Sequence, residues 1–131
     1  MRDHYRLFTW SLSYFSAKIR AYLRYKAFHG ALKYEEILAT RDLLQNYIVP
    51  ATGAAVVPQV QAPNNDWIQD SSEIIDILEA KHPEAPIIPT GPRQRLASYL
   101  VELLADEWML PWGFWERWHY SLESVTPNHE A

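Results

Sequence analysis

The first 38 residues carry two kinds of side-chain pattern, one typical of strands and one typical of a helix. Tyr5–Thr9 is a short apolar run that predicts a strand, and residues 14–28 carry apolar side chains at helical spacing. Tyr34–Leu38 predicts a second strand. A strand, a helix and a strand in succession favour a parallel strand pair with a right-handed crossover. The chain is therefore expected to fold as an α/β structure.

The first helix predicts one buried face and one wet face. Its apolar residues recur at i, i+4, i+7 and i+8, and Gly30 follows as a stop signal. Four basic residues are interpreted as its solvent-facing side rather than as a binding patch. The apolar set is Phe15, Ile19, Tyr22 and Leu23, and the basic set is Lys18, Arg20, Arg24 and Lys26.

The next segments complete a small α/β layer. Residues 41–47 predict a short, weak helix, and residues 50–55 a loop. Residues 56–61 predict a strand interrupted by Pro58, which is unusual because proline removes a ladder donor. Residues 66–69 predict a short partner strand, and Asp70-Ser71-Ser72-Glu73 predicts a capping box that opens a helix to about Lys81. The predicted order is β-α-β-α-β-β-α.

Four prolines between residues 83 and 92 predict a stiff linker. Beyond it, residues 93 to about 119 predict one long helix with a leucine side, kinked at Pro111. The expected divisions are a first domain over 1–82, a linker over 83–92, and a helix with a fraying tail over 93–131.

The long helix is crowded with aromatic residues. Trp108, Trp112 and Trp115 continue its apolar face, and Phe114 and Trp118 lie close by. Core packing is the ordinary explanation, but these residues spread over more than one face of a single helix. Exposed, they would exceed the few hundred Å² of apolar patch that monomers tolerate. We therefore expect region 93–120 to cover a partner, either a second copy or further helices.

Composition excludes several classes of function. The net charge is −4 without a block of Lys or Arg, which argues against nucleic acid or an anionic membrane as partner. The sequence has no apolar run of membrane-spanning length and no signal peptide, so a cytosolic location is expected. There is no cysteine, which removes disulfides and protein-thiol chemistry. The five histidines are scattered without metal-ligand spacing, so no metal is expected.

Serine hydroxyls surround the start of the first helix, at Ser11, Ser13 and Ser16. A helix N-terminus presents unpaired N–H groups and the positive end of the helix dipole. A hydroxyl there either caps the helix or helps to hold an anion. The serines alone leave both interpretations open.

Taken in order, these motifs resemble the cytosolic glutathione transferases. The matching stretches are residues 13–20 with Leu23, residues 57–60, and residues 69–79. The resemblance covers residues 5–92 and implies a thioredoxin-like N-terminal domain, followed by the first helix of an all-helical second domain. It implies glutathione as co-substrate, and no metal.

The resemblance also implies roles for individual residues. Val57-Pro58 is similar to the cis-proline turn whose backbone pairs with the cysteinyl amide of glutathione. Asp70-Ser71 is similar to the pair that receives the γ-glutamyl group. Ser13 is similar to the hydroxyl or cysteine residue that faces the glutathione sulfur, with Ser11 as runner-up and Tyr14 as a replacement if its ring turns inward. The family commonly has a basic residue ahead of the Val-Pro turn, where this chain has Ala54-Ala55-Val56. Arg41 is our substitute for it.

Two functions remain at this point. The first is a glutathione transferase that stabilises the thiolate for attack on a small apolar electrophile. The alternative is a non-catalytic module of the same fold that binds partners through its aromatic helix. The triad of Ser13, Val57-Pro58 and Asp70-Ser71 favours the first, and the tryptophan cluster with the missing part of the second domain favours the other.

Overall fold

The first part of the chain forms four strands, β1 (Tyr5–Thr9), β2 (Tyr34–Leu38), β3 (Gln59–Gln61) and β4 (Trp67–Ile68). They form a mixed sheet in the order β2-β1-β3-β4. The structure is a computed structural model that describes residues 3–125, with side chains described through residue 119. Strands β1 and β2 are parallel and are joined by helix α1 (Tyr14–Phe28), whereas β3 runs antiparallel to β1, and β4 to β3. The predicted strand-helix-strand opening is confirmed.

Alternation along β1 sends neighbouring side chains to opposite faces of the sheet. Leu7 packs in a cluster with residues of α1 and of helix α4 (Ser71–Lys81), including Leu23 and Leu78. Phe8 lies in the other cluster, with Ala39, Leu44 and Ile48. Each fully buried side chain of this size contributes about 1.5–3 kcal/mol. The sheet is therefore covered on both faces, as the α/β prediction requires.

Helix α1 contradicts one part of the predicted wet face. Lys26 is fully buried, on the same stripe as Ile19 and Leu23. Its ammonium Nζ lies 2.7 Å from Glu79 Oε1 and donates to the backbone carbonyls that follow α4. These carbonyls are His82 at 2.7 Å, Glu84 at 2.9 Å and Ala85 at 3.3 Å. The interpretation of Lys26 as a solvent-facing residue was wrong, because four oxygens replace its hydration.

Glu79 completes this buried ion pair. Its Oε1 accepts from the hydroxyl of Tyr22 at 3.0 Å, and its Oε2 accepts from the backbone N–H of Ile87 at 3.1 Å. Burial raises the pKa of Glu79, but the hydrogen bonds from Lys26, Ile87 and Tyr22 outweigh burial and hold that pKa below its usual value. These contacts hold the segment that follows α4 against α1 and α4 as far as Ile87.

The segment between β2 and β3 is more helical than predicted. Helix α2 (Arg41–Leu43), a π-helical turn (Leu44–Ile48) and helix α3 (Val49–Thr52) follow one another without a break. The helix therefore extends into residues 50–52, which we predicted as loop. Gly53 ends it at φ 75°, a left-handed conformation that glycine adopts without strain.

Strand β3 begins later than predicted. It spans only Gln59–Gln61, so residues 56–58 lie outside the ladder. The reason is chemical, since Pro58 has no N–H to donate to a neighbouring strand. Strand β4 is likewise confined to Trp67–Ile68 within the predicted residues 66–69.

The chain divides into two units, Met1–Ile87 and Ile88–Ala131. The second unit contains helix α5 (Pro92–Leu103), a π-helical turn (Leu104–Trp108) and helix α6 (Met109–Val125). The predicted long helix is present. It continues through Val125, so part of the predicted tail is helical, and the rest of that tail lies outside the described residues. Within residues 3–125, no helix is long and apolar enough to cross a bilayer.

Both π-helical turns precede a proline. Pro50 lies four residues after Asn46, and Pro111 lies four residues after Glu107, and each of those earlier residues is inside a π-helical turn. A proline ring clashes with the carbonyl four residues before it. Widening the turn at that carbonyl relieves the clash. We predicted a kink at Pro111, and the structure shows a π-helical turn, Leu104–Trp108, before this proline.

Most apolar residues of α5 and α6, as far as residue 119, are exposed. The leucine side of α5 and the π-helical turn is more than half exposed at every position, and Trp108 and Trp112 are 70% and 67% exposed. A pair of consecutive helices cannot bury these side chains against itself. The leucines are Leu96, Leu100, Leu103 and Leu104, and the other exposed aromatics are Phe114, Trp115 and Trp118.

Candidate functional site

Ser13 caps helix α1. Its backbone is extended, at φ −78° and ψ 124°, and its Oγ accepts a hydrogen bond from the N–H of Ser16 at 3.1 Å. The side chain is half-buried. Because Oγ is the acceptor in this cap, the hydroxyl hydrogen is available to a further acceptor at the helix mouth. The predicted position of Ser13 at a helix start is confirmed.

Ser16 has a structural role instead. It is fully buried, and its Oγ accepts from the backbone N–H of Trp10 at 3.2 Å. This bond ties the end of β1 to the first turn of α1. Of the serines around this helix start, Ser13 is thus the one whose hydroxyl lies at the cap.

A hollow of about 350 Å³ lies between the start of α4, the turn before β3, and α1. We call it the Val57–Ser71 hollow, and it brings together the two predicted motifs, Val57-Pro58 and Asp70-Ser71. The peptide bond between Val57 and Pro58 is cis, as the resemblance implied. The lining residues are Phe15, Val56, Val57, Pro58, Gln69, Asp70 and Ser71.

The start of α4 presents a polar edge to this hollow. Asp70 is the N-cap, and its Oδ1 accepts from the N–H groups of Ser72 at 2.9 Å and Glu73 at 3.1 Å. Its backbone has φ 63° and ψ 129°, outside the left-handed helical region in which aspartate is enriched, so the turn into α4 is strained. Ser71, the first helical residue, is buried, and its hydroxyl has no hydrogen-bond partner in the part of the chain that the structure describes. The cap uses one carboxylate oxygen of Asp70 and does not use the hydroxyl of Ser71.

Several predicted residues do not line this hollow. Ser13 is not among the lining residues, although Phe15, two residues later, is. Ser11 is exposed and lines a separate apolar hollow of about 360 Å³ with Trp10 and Leu38. Tyr14 is 42% exposed, so its ring has not turned into the core. Arg41 is exposed at the first residue of α2.

Sequence reasoning missed three lining residues as site residues, namely Phe15, Val56 and Gln69. Phe15 was interpreted as part of the buried face of α1, but it is half-buried and faces the hollow. Gln69 was noted only as part of a motif, and its Nε2 donates to the carbonyl of Thr52 at 3.3 Å. The position of Gln69 directly before the capping box was the available signal.

Comparison with protein families identifies the fold. The family described as glutathione S-transferase, N-terminal domain, matches residues 7–86, more than half of the chain. The chain belongs to the glutathione S-transferase family. No curated protein sequence matches it.

Solved glutathione S-transferases share this fold. One from Methylobacterium radiotolerans, in complex with glutathione sulfonate, is 27% identical over 79% of this chain and 47% of its own, with a TM-score of 0.67. One from Rhodospirillum rubrum is 21% identical over 79% and 45%, with a TM-score of 0.69. A homologue from Sulfitobacter with bound glutathione is 15% identical over 80% and 50%, with a TM-score of 0.65. The chain thus spans about half the length of these glutathione S-transferases.

The described residues hold no cluster of three or more potential metal ligands. The chemistry available at the two helix starts is that of hydroxyls, backbone N–H groups and one carboxylate. Such groups bind an ammonium, a carboxylate or a thiolate through charge-assisted hydrogen bonds.

Proposed function

We propose that this glutathione S-transferase homologue binds glutathione in the Val57–Ser71 hollow and stabilises its thiolate for attack on a small apolar electrophile. The observation that carries the proposal is the convergence of Val57-Pro58 and Asp70-Ser71 on one hollow beside the start of α1. The glutathione bound to the Sulfitobacter homologue and the glutathione sulfonate bound to the Methylobacterium enzyme support it.

The γ-glutamyl group fits the start of α4. Its carboxylate is suited to the hydroxyl and N–H of Ser71, because the positive end of the helix dipole lies there. Its ammonium is suited to the carboxylate of Asp70, of which Oδ1 already serves the cap. The backbone of Val57 pairs with the cysteinyl amide in this arrangement, and Arg41 is assigned to the glycyl carboxylate.

Ser13 is assigned to the glutathione sulfur. A free thiol has a pKa of about 8.5, and each unit of lowering needs about 1.36 kcal/mol of preference for the thiolate. A hydrogen bond to a charged group contributes about 1.5–3 kcal/mol, and a helix N-terminus about 0.3–1 kcal/mol more. One hydroxyl at the start of α1 is therefore sufficient to populate the thiolate near neutral pH.

Calorimetry with glutathione tests the binding half of this proposal. We expect Ser71→Ala to weaken glutathione binding by about 10–100-fold, because a hydrogen bond to a charged carboxylate is lost. The matched control is Ser72→Ala, which removes the neighbouring hydroxyl, outside the hollow. It is expected to leave the affinity within about twofold. Absence of binding heat with millimolar glutathione and the unaltered chain contradicts the proposal.

The exposed helices favour a second candidate function, an interaction module of the same fold. Trp108 and Trp112 are each at least two-thirds exposed. We propose that region 93–120 covers a partner, which is a second copy or further helices. The two proposals together describe a cytosolic homodimer, in which each chain binds glutathione and region 93–120 of one chain covers a second copy.

Sedimentation velocity at micromolar concentration tests the second-copy form of this proposal. We expect a species of twice the chain mass, because burying the exposed tryptophans and leucines removes several hundred Å² of apolar surface from water. Trp112→Glu is expected to shift the protein to monomer. Gln94→Glu, on the exposed surface of α5, adds the same charge and is expected to change nothing. A monomeric unaltered chain contradicts self-association.

A further inference from the structure

Gln59 is a buried amide directly after the cis-proline. Its side chain is fully buried, and its Nε2 donates to two backbone carbonyls, Ala54 O at 3.1 Å and Val56 O at 3.0 Å. These two bonds fix which end of the amide is nitrogen, since a carbonyl accepts and does not donate. Its Oε1 is buried without a hydrogen-bond partner among the residues that the structure describes.

The two hydrogen bonds orient two peptide planes. In a trans peptide the carbonyl and the following N–H point in opposite directions. Since Val56 O is turned inward to Gln59, the N–H of Val57 is turned away from the buried amide. In the same way Ala54 O turns the N–H of Ala55 outward.

The orientation of these two peptide planes is relevant to ligand binding in the Val57–Ser71 hollow. Val56 and Val57 both line it, and the N–H of Val57 has no hydrogen-bond partner within the described part of the chain. A preoriented donor at that point loses little freedom when an amide carbonyl of a ligand reaches it.

We infer that Gln59 is a positioning residue for ligand binding, which holds the peptide planes of residues 54–57 so that the N–H of Val57 is presented to an amide carbonyl in the Val57–Ser71 hollow. The inference rests on the proposed function for the identity of that ligand, the peptide glutathione. It does not rest on it for the orientation of the peptide planes.

Stability alone does not explain a glutamine at this position. A buried acceptor without a partner is unfavourable, and an apolar side chain of the same length has no such group. After Gln59→Met, the carbonyls of Ala54 and Val56 can rotate toward water, which restores their hydrogen bonds but turns the N–H of Val57 inward. We therefore expect Gln59→Met to unfold at the same urea concentration as the unaltered chain, or at a higher one.

The experiment combines orientation with binding. Residual dipolar couplings of the Val57 N–H, measured without ligand, report the direction of its peptide plane. We expect these couplings to change in Gln59→Met, and calorimetry to show glutathione binding about tenfold weaker. Gln61→Met is the matched control, because Gln61 is buried in the same strand but accepts from Arg6 and Tyr47, away from residues 54–57. It is expected to change neither measurement.

The outcomes separate this inference from the proposed function. Unchanged Val57 couplings in Gln59→Met overturn the positioning role, whatever the protein binds. An unaltered chain that binds no glutathione overturns the proposed function, while the couplings still decide what Gln59 orients. Gln59→Leu repeats both measurements with a branched side chain. If both variants fail to fold, Gln59 is a residue of the core and the inference is overturned.

Discussion

Replacing Glu79 with alanine is expected to destabilise the first unit by about 3–5 kcal/mol, because it leaves a fully buried ammonium without its counter-ion. Lys26 is 0% exposed, and Glu79 Oε1 lies 2.7 Å from its Nζ. The three backbone carbonyls that remain offer partial charges only. Because a domain of this size is stable by about 5–15 kcal/mol, the loss is a large fraction of the total.

Urea unfolding followed by circular dichroism measures this effect. The matched control is Arg24→Ala, which removes a cation of the same helix whose side chain is 67% exposed and 4.0 Å from Glu36. Such an exposed pair contributes about 0–1 kcal/mol. Glu79→Gln keeps the size and one acceptor oxygen, and serves if the alanine variant does not fold. A Glu79→Ala variant within about 1 kcal/mol of the unaltered chain contradicts the buried ion pair.

The ion pair of Lys26 and Glu79 also makes the free energy of unfolding depend on pH in the acidic range. The pKa of Glu79 in the folded chain is depressed, because the hydrogen bonds that it accepts outweigh its burial. Because the pKa of this carboxyl is lower in the folded chain than in the unfolded chain, its ionised form stabilises the fold. This stabilisation is present in full above the pKa of the unfolded chain, which is about 4.3. This contribution is lost as the pH falls through the lower folded pKa. Glu79→Ala is accordingly expected to show a shallower loss of stability below about pH 4.5 than the unaltered chain does.

Replacing Ser13 with alanine is expected to lower the rate of glutathione conjugation by about 10–100-fold at neutral pH, under the proposed function. The lost hydrogen bond to a thiolate corresponds to about 1.5–3 kcal/mol. The pKa of the bound thiol is expected to rise by one to two units, since each unit corresponds to about 1.36 kcal/mol. Thiolate absorbance of the glutathione complex, titrated with pH, measures this shift directly. Binding of glutathione itself is expected to remain.

Ser13 also caps α1, so the cap needs its own control. Thr40→Ala removes an equivalent cap, in which Thr40 Oγ1 accepts from the N–H of Leu43 at 3.2 Å, at the start of α2. Both variants are expected to lose about 0.5–2 kcal/mol of stability, but only Ser13→Ala is expected to change the thiol pKa. Ser11→Ala and Tyr14→Phe test the two alternative hydroxyls. A thiol pKa that moves in either of these and not in Ser13→Ala transfers the role to that residue.

Much of the fold was predictable from local pattern. The bounds of β1, α1 and β2 follow from a change in the period of the apolar pattern between two and 3.6 residues. This period can be determined from side chains that are close together in the sequence. The caps at Ser13 and Asp70 were predictable for the same reason, because a cap joins a side chain to an N–H two or three residues later. The Val-Pro turn could be assigned from the resemblance to a family.

The failures share a different cause. Lys26 lies on the buried stripe of α1, seven residues after Ile19, yet its charge indicated solvent. Its acceptors come from residues 79–85, more than fifty positions away, and no local pattern contains them. The π-helical turns were missed because the response to a proline occurs at the carbonyl four residues earlier, where the side chains carry no signal.

By itself the sequence determined the α/β class and the helix starts, because each depends on residue type or on neighbours within one helical turn. Only the tertiary structure decided that Val57-Pro58 and Asp70-Ser71 line one hollow with Phe15, and that Gln59 turns the carbonyl of Val56 inward. These relations depend on where separate segments of the chain meet. Packing of the sheet and helices fixes those distances, and the order of residues along the chain does not contain them.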